Sequence, residues 1–209
     1  MSKNLDESGL KSIVNEYDLF FIDIWGVVHN GIKLYENAIK VLEELSNNEK
    51  KFILLTNAPR PNLTVINTLK KMGLNNFSDT VFTSGEASKR YLLENFNNKK
   101  FFHLGPPRDF DLFKTFEDNK VLNIDDSDYL LCSGLFEEHE DDLGYYKNLL
   151  SKHINKKMIC TNPDLIVDRG NKREYCAGSI AKSFEEINGK GISVGTPDPP
   201  VYELAAELT

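Results

Sequence analysis

Cysteine is scarce in this 209-residue sequence: Cys132, Cys160 and Cys176 are odd in number and share no C-x-x-C spacing. Neither a disulfide framework nor a cysteine zinc site is suggested, and a reducing cytoplasm is the simpler setting. The four histidines, His29, His103, His139 and His153, are scattered without an i, i+4 pair, which argues against a histidine-bound metal. Basic charge is also short, with 25 Lys and Arg against 32 Asp and Glu and a formal net charge of -7. That balance excludes a general binder of nucleic acid or anionic membrane, because the short pairs Lys99–Lys100 and Lys156–Lys157 cannot offset the repulsion. Long apolar runs are missing too. The stretch from Leu19 to Val28 is too short to span a bilayer and contains Asp23. Residues 1–17 alternate charged and apolar types and read as an amphipathic helix, not a signal peptide.

What is present is enough apolar content, 40%, to bury a core, in a chain long enough for one large domain or two small ones. LFFID reads as a buried strand, NAIKVLEEL as a helix, KFILLT as a strand, and LTVINTLKKMG as a helix stopped by glycine. This β-α-β-α alternation predicts a parallel sheet covered by helices on both faces, with ligands collecting beyond the carboxyl ends of the strands. The middle of the chain reads as a second α/β unit with no linker before it, and so as an insertion. GISVG then reads as a strand and TPDPPVYELAAELT as a proline-initiated helix.

Two strand ends carry candidate chemistry. In FFIDIWGVVHNG an apolar strand ends in Asp23 and passes into glycine and a polar turn. A carboxylate in that position can attack phosphorus when a divalent cation offsets the charges, or it can simply cap the turn. In LLTNAPRP a strand ends in Thr56 and Asn57 before a helix starting near Pro61. Hydroxyl, amide and helix N-terminal N–H groups there can hold phosphate oxygens, or form an ordinary capping turn.

Taken in order, DIWGVVHNG, LLTNAPR, VFTSGEA, TNPDLIVDRG, AGSIAKSFEEINGK and GTPDPPVYELA resemble the haloacid dehalogenase superfamily, in its class IIA branch of N-acetylglucosamine-phosphate and pyridoxal-phosphate phosphatases. The resemblance runs over nearly the whole chain. It implies a doubly wound, Rossmann-like parallel-sheet core with an inserted α/β cap domain. It makes Asp23 the nucleophile that becomes an aspartyl-phosphate, and Mg2+ the cofactor, bound by the Asp23 carboxylate and the Trp25 backbone carbonyl. Gly26, Thr56, Asn57 and Thr196 would bind phosphate. In the cap, Asn162, Asp164 and Arg169 would meet the substrate, whereas Lys172 and Arg173 read as solvated loop charges.

The same resemblance exposes departures. Trp25 stands where active relatives carry a second Asp that protonates the leaving group, and its ring cannot do that work. The D-x-W-G-V pattern matches a variant branch of the class. Gly195-Thr196-Pro197 replaces G-K-P, so Thr196 supplies a hydroxyl without the lysine charge, and whether Lys182 or Lys190 compensates is left open. His29 is the nearest candidate for a substitute proton donor. Relatives continue to a G-D-x-x-x-T-D-like segment with further metal carboxylates beyond the position of Thr209. The expectation is a shortened chain, whether as fragment, truncated frame or natural variant, with an exposed sheet edge.

The expected division is residues 1–88 for the first part of the core, 89–190 for the cap, and 191–209 for an incomplete second part of the core. The leading functional expectation is hydrolysis of small phosphomonoesters of metabolites. The alternative is a catalytically impaired phosphate-binding relative. A receiver-type signalling domain shares the strand-end Asp and Thr but has no need of so long an insertion.

Overall fold

The computed structural model describes residues 9–77 and 80–209. Of the amphipathic helix expected over 1–17, residues 1–8 lie outside the described part, and the rest forms two short 3-10 turns, Leu10–Ser12 and Val14–Glu16. Leu10 and Val14 pack against the first core, so the apolar alternation is used without a regular helix.

The first sheet is parallel and three-stranded, in the order β1 (Leu19–Asp23), β2 (Lys51–Thr56), β3 (Val81–Thr83). Strand β2 is central and buried on both faces, which is why it reads as an unbroken apolar run. Its side chains alternate between faces. Phe52 and Leu54 join Leu42 and Leu45 of α1 (Glu36–Asn47) and Leu69 of α2 (Asn62–Lys71). Ile53 and Leu55 join Ala87 of α3 (Ser84–Asn95) and Val201 and Ala205 of α6 (Pro199–Ala206) on the opposite face. Helices thus cover both faces, as the β-α-β-α reading predicts.

The second sheet is parallel and five-stranded. It contains β4 (Phe101–Leu104), β5 (Lys120–Val121), β6 (Tyr129–Cys132), β7 (Lys157–Cys160) and β10 (Lys190–Ser193), in the order β10-β7-β6-β4-β5. One face packs on α4 (Leu143–Leu150) and α5 (Ala177–Glu186) through Tyr146, Leu150, Ile180 and Phe184. The other carries Phe101, Tyr129, Leu131 and Ile159 and meets Leu92 of α3. Helix α3 therefore serves both sheets, with Ala87 on the first and Leu92 on the second. A two-stranded antiparallel hairpin, β8 (Ile166–Arg169) and β9 (Lys172–Tyr175), projects from the second unit.

The divisions expected at 88/89 and 190/191 fall inside α3 and β10. Strand β10, expected with the second part of the core, is bonded in parallel to β7, because Ile192 completes the apolar face that holds Ile159. Only beyond Val194 does the chain pass to the first unit. Among the described residues no helix is long and apolar enough to cross a membrane.

Candidate active site

Strand pairing sets the frame of the site. Asp23 is the last residue of β1 and lies opposite Leu55, so Thr56 and Asn57 emerge beside it from the end of β2. The Asp23 carboxylate accepts the Ile24 N–H at 2.8 Å. Although Asp23 keeps accessible surface, partial desolvation raises its pKa from the ordinary aspartate value. The Ile24 N–H opposes that rise, the negative charge of Asp164 adds to it, and the Trp25 N–H opposes it again. Asp164 of the insertion therefore lies within electrostatic reach of the strand-end carboxylate of the core.

Asn57 holds the two units together there. Its Nδ2 donates to Asp164 Oδ1 at 2.8 Å and to the Thr196 carbonyl at 3.2 Å, while its Oδ1 accepts the Thr196 N–H at 2.8 Å. This bracket fixes the 195–197 turn, whose Thr196–Pro197 peptide is cis. Glycine is required at 195, since a Cβ there would lie 2.4 Å from Pro163 Cδ and 2.7 Å from Asn57 Oδ1. With both ends of its side-chain amide engaged, Asn57 acts as a clamp in this arrangement. Thr56 is buried, and its Oγ1 accepts the Ala58 N–H at 3.2 Å, leaving the hydroxyl proton available to an incoming oxygen. The start of α2 is less open than the sequence suggests: the Asn62 N–H is met by Glu86 Oε2 at 3.3 Å.

Trp25 has a structural use. Its Nε1 donates to the Asp168 carbonyl of β8 at 2.8 Å, and the Arg169 guanidinium lies over its ring at 5.5 Å. Gly31, at φ 83°, lets the ring in, because a Cβ there would sit 2.8 Å from it. Arg169 also approaches Glu174 at 3.7 Å. Lys172 pairs with Glu140 and Arg173 with Asp168, all on the exposed surface, as expected for solvated charges. Asn162 Oδ1 accepts the Asp164 N–H at 3.0 Å and so shapes the TNPD turn. His29 is buried beside Trp25, its Nδ1 accepts the Gly31 N–H at 2.8 Å, and burial lowers its pKa. That shift works against the proton-donor role considered for His29.

A cavity of about 360 Å3 opens between the two units, lined in part by Trp25, Asn57, Asn162, Asp164 and Arg169. Asp23, Gly26, Thr56 and Thr196 stand next to this wall without forming it, and Lys182 and Lys190 are exposed elsewhere. Sequence reading missed Arg60, Asp109 and Ser133, which also line the cavity. The one local sign was a charged Arg108-Asp109 pair after G-P-P, which looks like any polar turn.

For a divalent cation the available donors are hard oxygens, the Asp23 carboxylate and the Trp25 carbonyl, and no group of three or more His, Cys, Asp or Glu side chains poised for a metal occurs among the described residues. No hydrogen bond from a described residue occupies that carbonyl. Such a sparse set fits Mg2+, which keeps several waters and is commonly completed by substrate phosphate.

A strand-end carboxylate beside a strand-end threonine, next to a cavity walled in part by an inserted α/β unit, places the candidate site in a Rossmann-like α/β fold. Comparison with known proteins agrees. Residues 20–117 match the family model described as haloacid dehalogenase-like hydrolase. A crystal structure of a hydrolase of the haloacid dehalogenase-like family from Brucella suis is 30% identical, with a TM-score of 0.87 over 99% of this chain and 77% of that one. A 4-nitrophenylphosphatase from Thermotoga maritima is 27% identical, with a TM-score of 0.69 over 93% and 74%. An acid sugar phosphatase of Staphylococcus epidermidis is 23% identical over 203 residues, 93% of this chain and 75% of the relative. The chain belongs to the haloacid dehalogenase-like hydrolase family, and its relatives support the class IIA branch.

Proposed function

We propose that this protein hydrolyses small phosphomonoesters, with Asp23 as the nucleophile. The observation that carries the reading is the placement of the Asp23 carboxylate beside Thr56 at adjacent strand ends, with Asp164 reaching over from the insertion. The names of the relatives, a sugar phosphatase and a nitrophenylphosphatase, point to small phosphorylated substrates. The five-stranded unit would be the cap and the three-stranded unit the core, so the cap expected over 89–190 would run on through Ser193. The buried free thiols suit a reducing cytoplasm.

In the first step an Asp23 oxygen bonds to phosphorus as the ester P–O bond breaks, and the leaving group departs with the electron pair. Thr56 donates its hydroxyl proton to a phosphoryl oxygen and holds the group in line. Mg2+, held by the Asp23 carboxylate and the Trp25 carbonyl, would supply charge neutralisation between the two anions. Water then attacks phosphorus, the acyl-phosphate P–O bond breaks, and inorganic phosphate leaves with Asp23 restored as carboxylate. Gly26, at φ 81°, lets the turn after the nucleophile take a left-handed conformation, and Gly26 and Thr196, the latter fixed by Asn57, would take part in holding the phosphoryl group. Asn162, Asp164 and Arg169 would face the leaving group.

The test is phosphate release from a panel of small phosphomonoesters with Mg2+, compared between the wild type and Asp23→Asn. Magnesium-dependent release that disappears in the variant supports the reading, and release unaffected by Asp23→Asn contradicts it.

A further inference from the structure

The cavity has a second polar end that the phosphoryl chemistry does not use. His103 on β4, Asp109 in the turn Pro107–Leu112 and Ser133 just after β6 form a buried row, with exposures of 6%, 3% and 3%. His103 Nε2 lies 2.8 Å from Ser133 Oγ, and Ser133 Oγ donates to Asp109 Oδ2 at 2.8 Å. From the loop after β2, Arg60 Nε donates to Asp109 Oδ1 at 3.3 Å. With Ser133 donating to Asp109, the bond from Ser133 to His103 requires an Nε2–H on the histidine, so the row runs in one direction and presents Asp109 as acceptor.

Local sequence is shaped around this row. A Cβ at Gly105 would lie 2.2 Å from Ser133 Oγ and 2.7 Å from His103 Nε2, so no larger residue fits there. At Gly134 an added Cβ would lie 3.0 Å from Pro106 Cδ and 3.8 Å from Asp109 Oδ2, so the backbone there runs close beside the carboxylate. Arg60, Arg108, Asp109, Ser133 and Gly134 all line the cavity. Burying a carboxylate is unfavourable, and a pair placed at a cavity wall and braced by a serine and a histidine exceeds what packing demands.

The mixed charge narrows the ligand. A second anionic group drawn to Arg60 and Arg108 would meet the Asp109 carboxylate, and an ammonium drawn to Asp109 would meet the two guanidinium groups. Adjacent hydroxyls satisfy both, donating to the carboxylate and accepting from the guanidinium. We propose that Asp109 and Arg60 form the leaving-group subsite and read neighbouring hydroxyls of a phosphorylated polyol or sugar. This rests on the phosphohydrolase reading above and specifies its substrate class. Ser133 and His103 are positioning residues that hold the Asp109 carboxylate in place.

The experiment measures binding by calorimetry with Mg2+ in an Asp23→Asn background, which separates recognition from turnover. The probes are a hexose phosphate and phenyl phosphate, and the comparison is with Asp23→Asn/Asp109→Asn. Losing hydrogen bonds to a charged acceptor should weaken the hexose phosphate about 10- to 100-fold and leave phenyl phosphate unchanged. Ser133→Ala should shift the same preference by a smaller factor, and Arg60→Lys should do so without removing charge. These two variants carry the comparison if Asp109→Asn does not fold. Equal weakening of both probes, or an unchanged preference, overturns the subsite. Binding of neither probe to Asp23→Asn, with no phosphate release by the wild type, overturns the phosphohydrolase reading as well.

Discussion

At Asp23 a raised pKa means that the folded protein holds the proton to higher pH than the unfolded chain does. The sign follows: stability contributed by the protonated form is lost as pH rises from 3.8 through the folded value, and the carboxylate at neutral pH opposes folding. Asp23→Asn is therefore expected to unfold at higher temperature than the wild type in metal-free buffer at neutral pH, the gain fading toward pH 4. A lower melting temperature at neutral pH would contradict the electrostatic account. His103 behaves in the opposite sense. Burial, with a smaller push from Lys120, lowers its pKa from 6.5 to about 3, so the unfolded chain binds a proton in that window and the folded one does not. Stability should fall as pH drops from 6.5 toward 3, by roughly 1.4 kcal/mol per unit within the window, and denaturant titrations should find this slope reduced in His103→Gln. In the proposed reaction Trp25 would offer the leaving group no carboxylic acid. Turnover should accordingly depend steeply on leaving-group acidity, with 4-nitrophenyl phosphate far faster than an alkyl phosphate, and a flat dependence would reveal another proton donor.

The hairpin of β8 and β9 and the turn at 195–197 are among the elements that join the insertion to the core. Replacing Trp25 by Phe removes the bond to the Asp168 carbonyl, worth about 1 kcal/mol, and should speed hydrogen exchange in the hairpin while the sheets stay protected. At the turn, Gly195→Ala forces a methyl group against Pro163 and Asn57 and is expected to destabilise by about 1–3 kcal/mol, read from the denaturation midpoint. These elements also mark how far local pattern reaches. Core strands and helices were legible because β2 is apolar throughout and the helices carry their periodicity on the face that packs. Strand β10 was legible as a strand, but its sheet was not, since pairing with β7 depends on Ile192 meeting a face assembled from distant segments. Residues 9–17 carry an amphipathic pattern that two 3-10 turns satisfy as well as a helix would.

At the scale of the molecule, two parallel α/β units share α3 and enclose a cavity whose wall comes from both. Asp23 and Thr56 were visible in the sequence because polar residues ending apolar strands stand out without any knowledge of the fold. The Asn57 clamp on Asp164 and Thr196 was not, since it joins residues more than a hundred positions apart, and neither was the row from His103 to Arg60. Long-range polar contacts leave no period in a sequence. The central claim is that the Asp23 carboxylate takes the phosphoryl group, and the most direct measurement is mass spectrometry of the acid-quenched protein after brief exposure to 4-nitrophenyl phosphate and Mg2+. A hydroxylamine-labile phosphate adduct on the peptide containing Asp23, missing in Asp23→Asn, is the predicted result. Phosphate release that persists in Asp23→Asn, or an adduct on another residue, would contradict it.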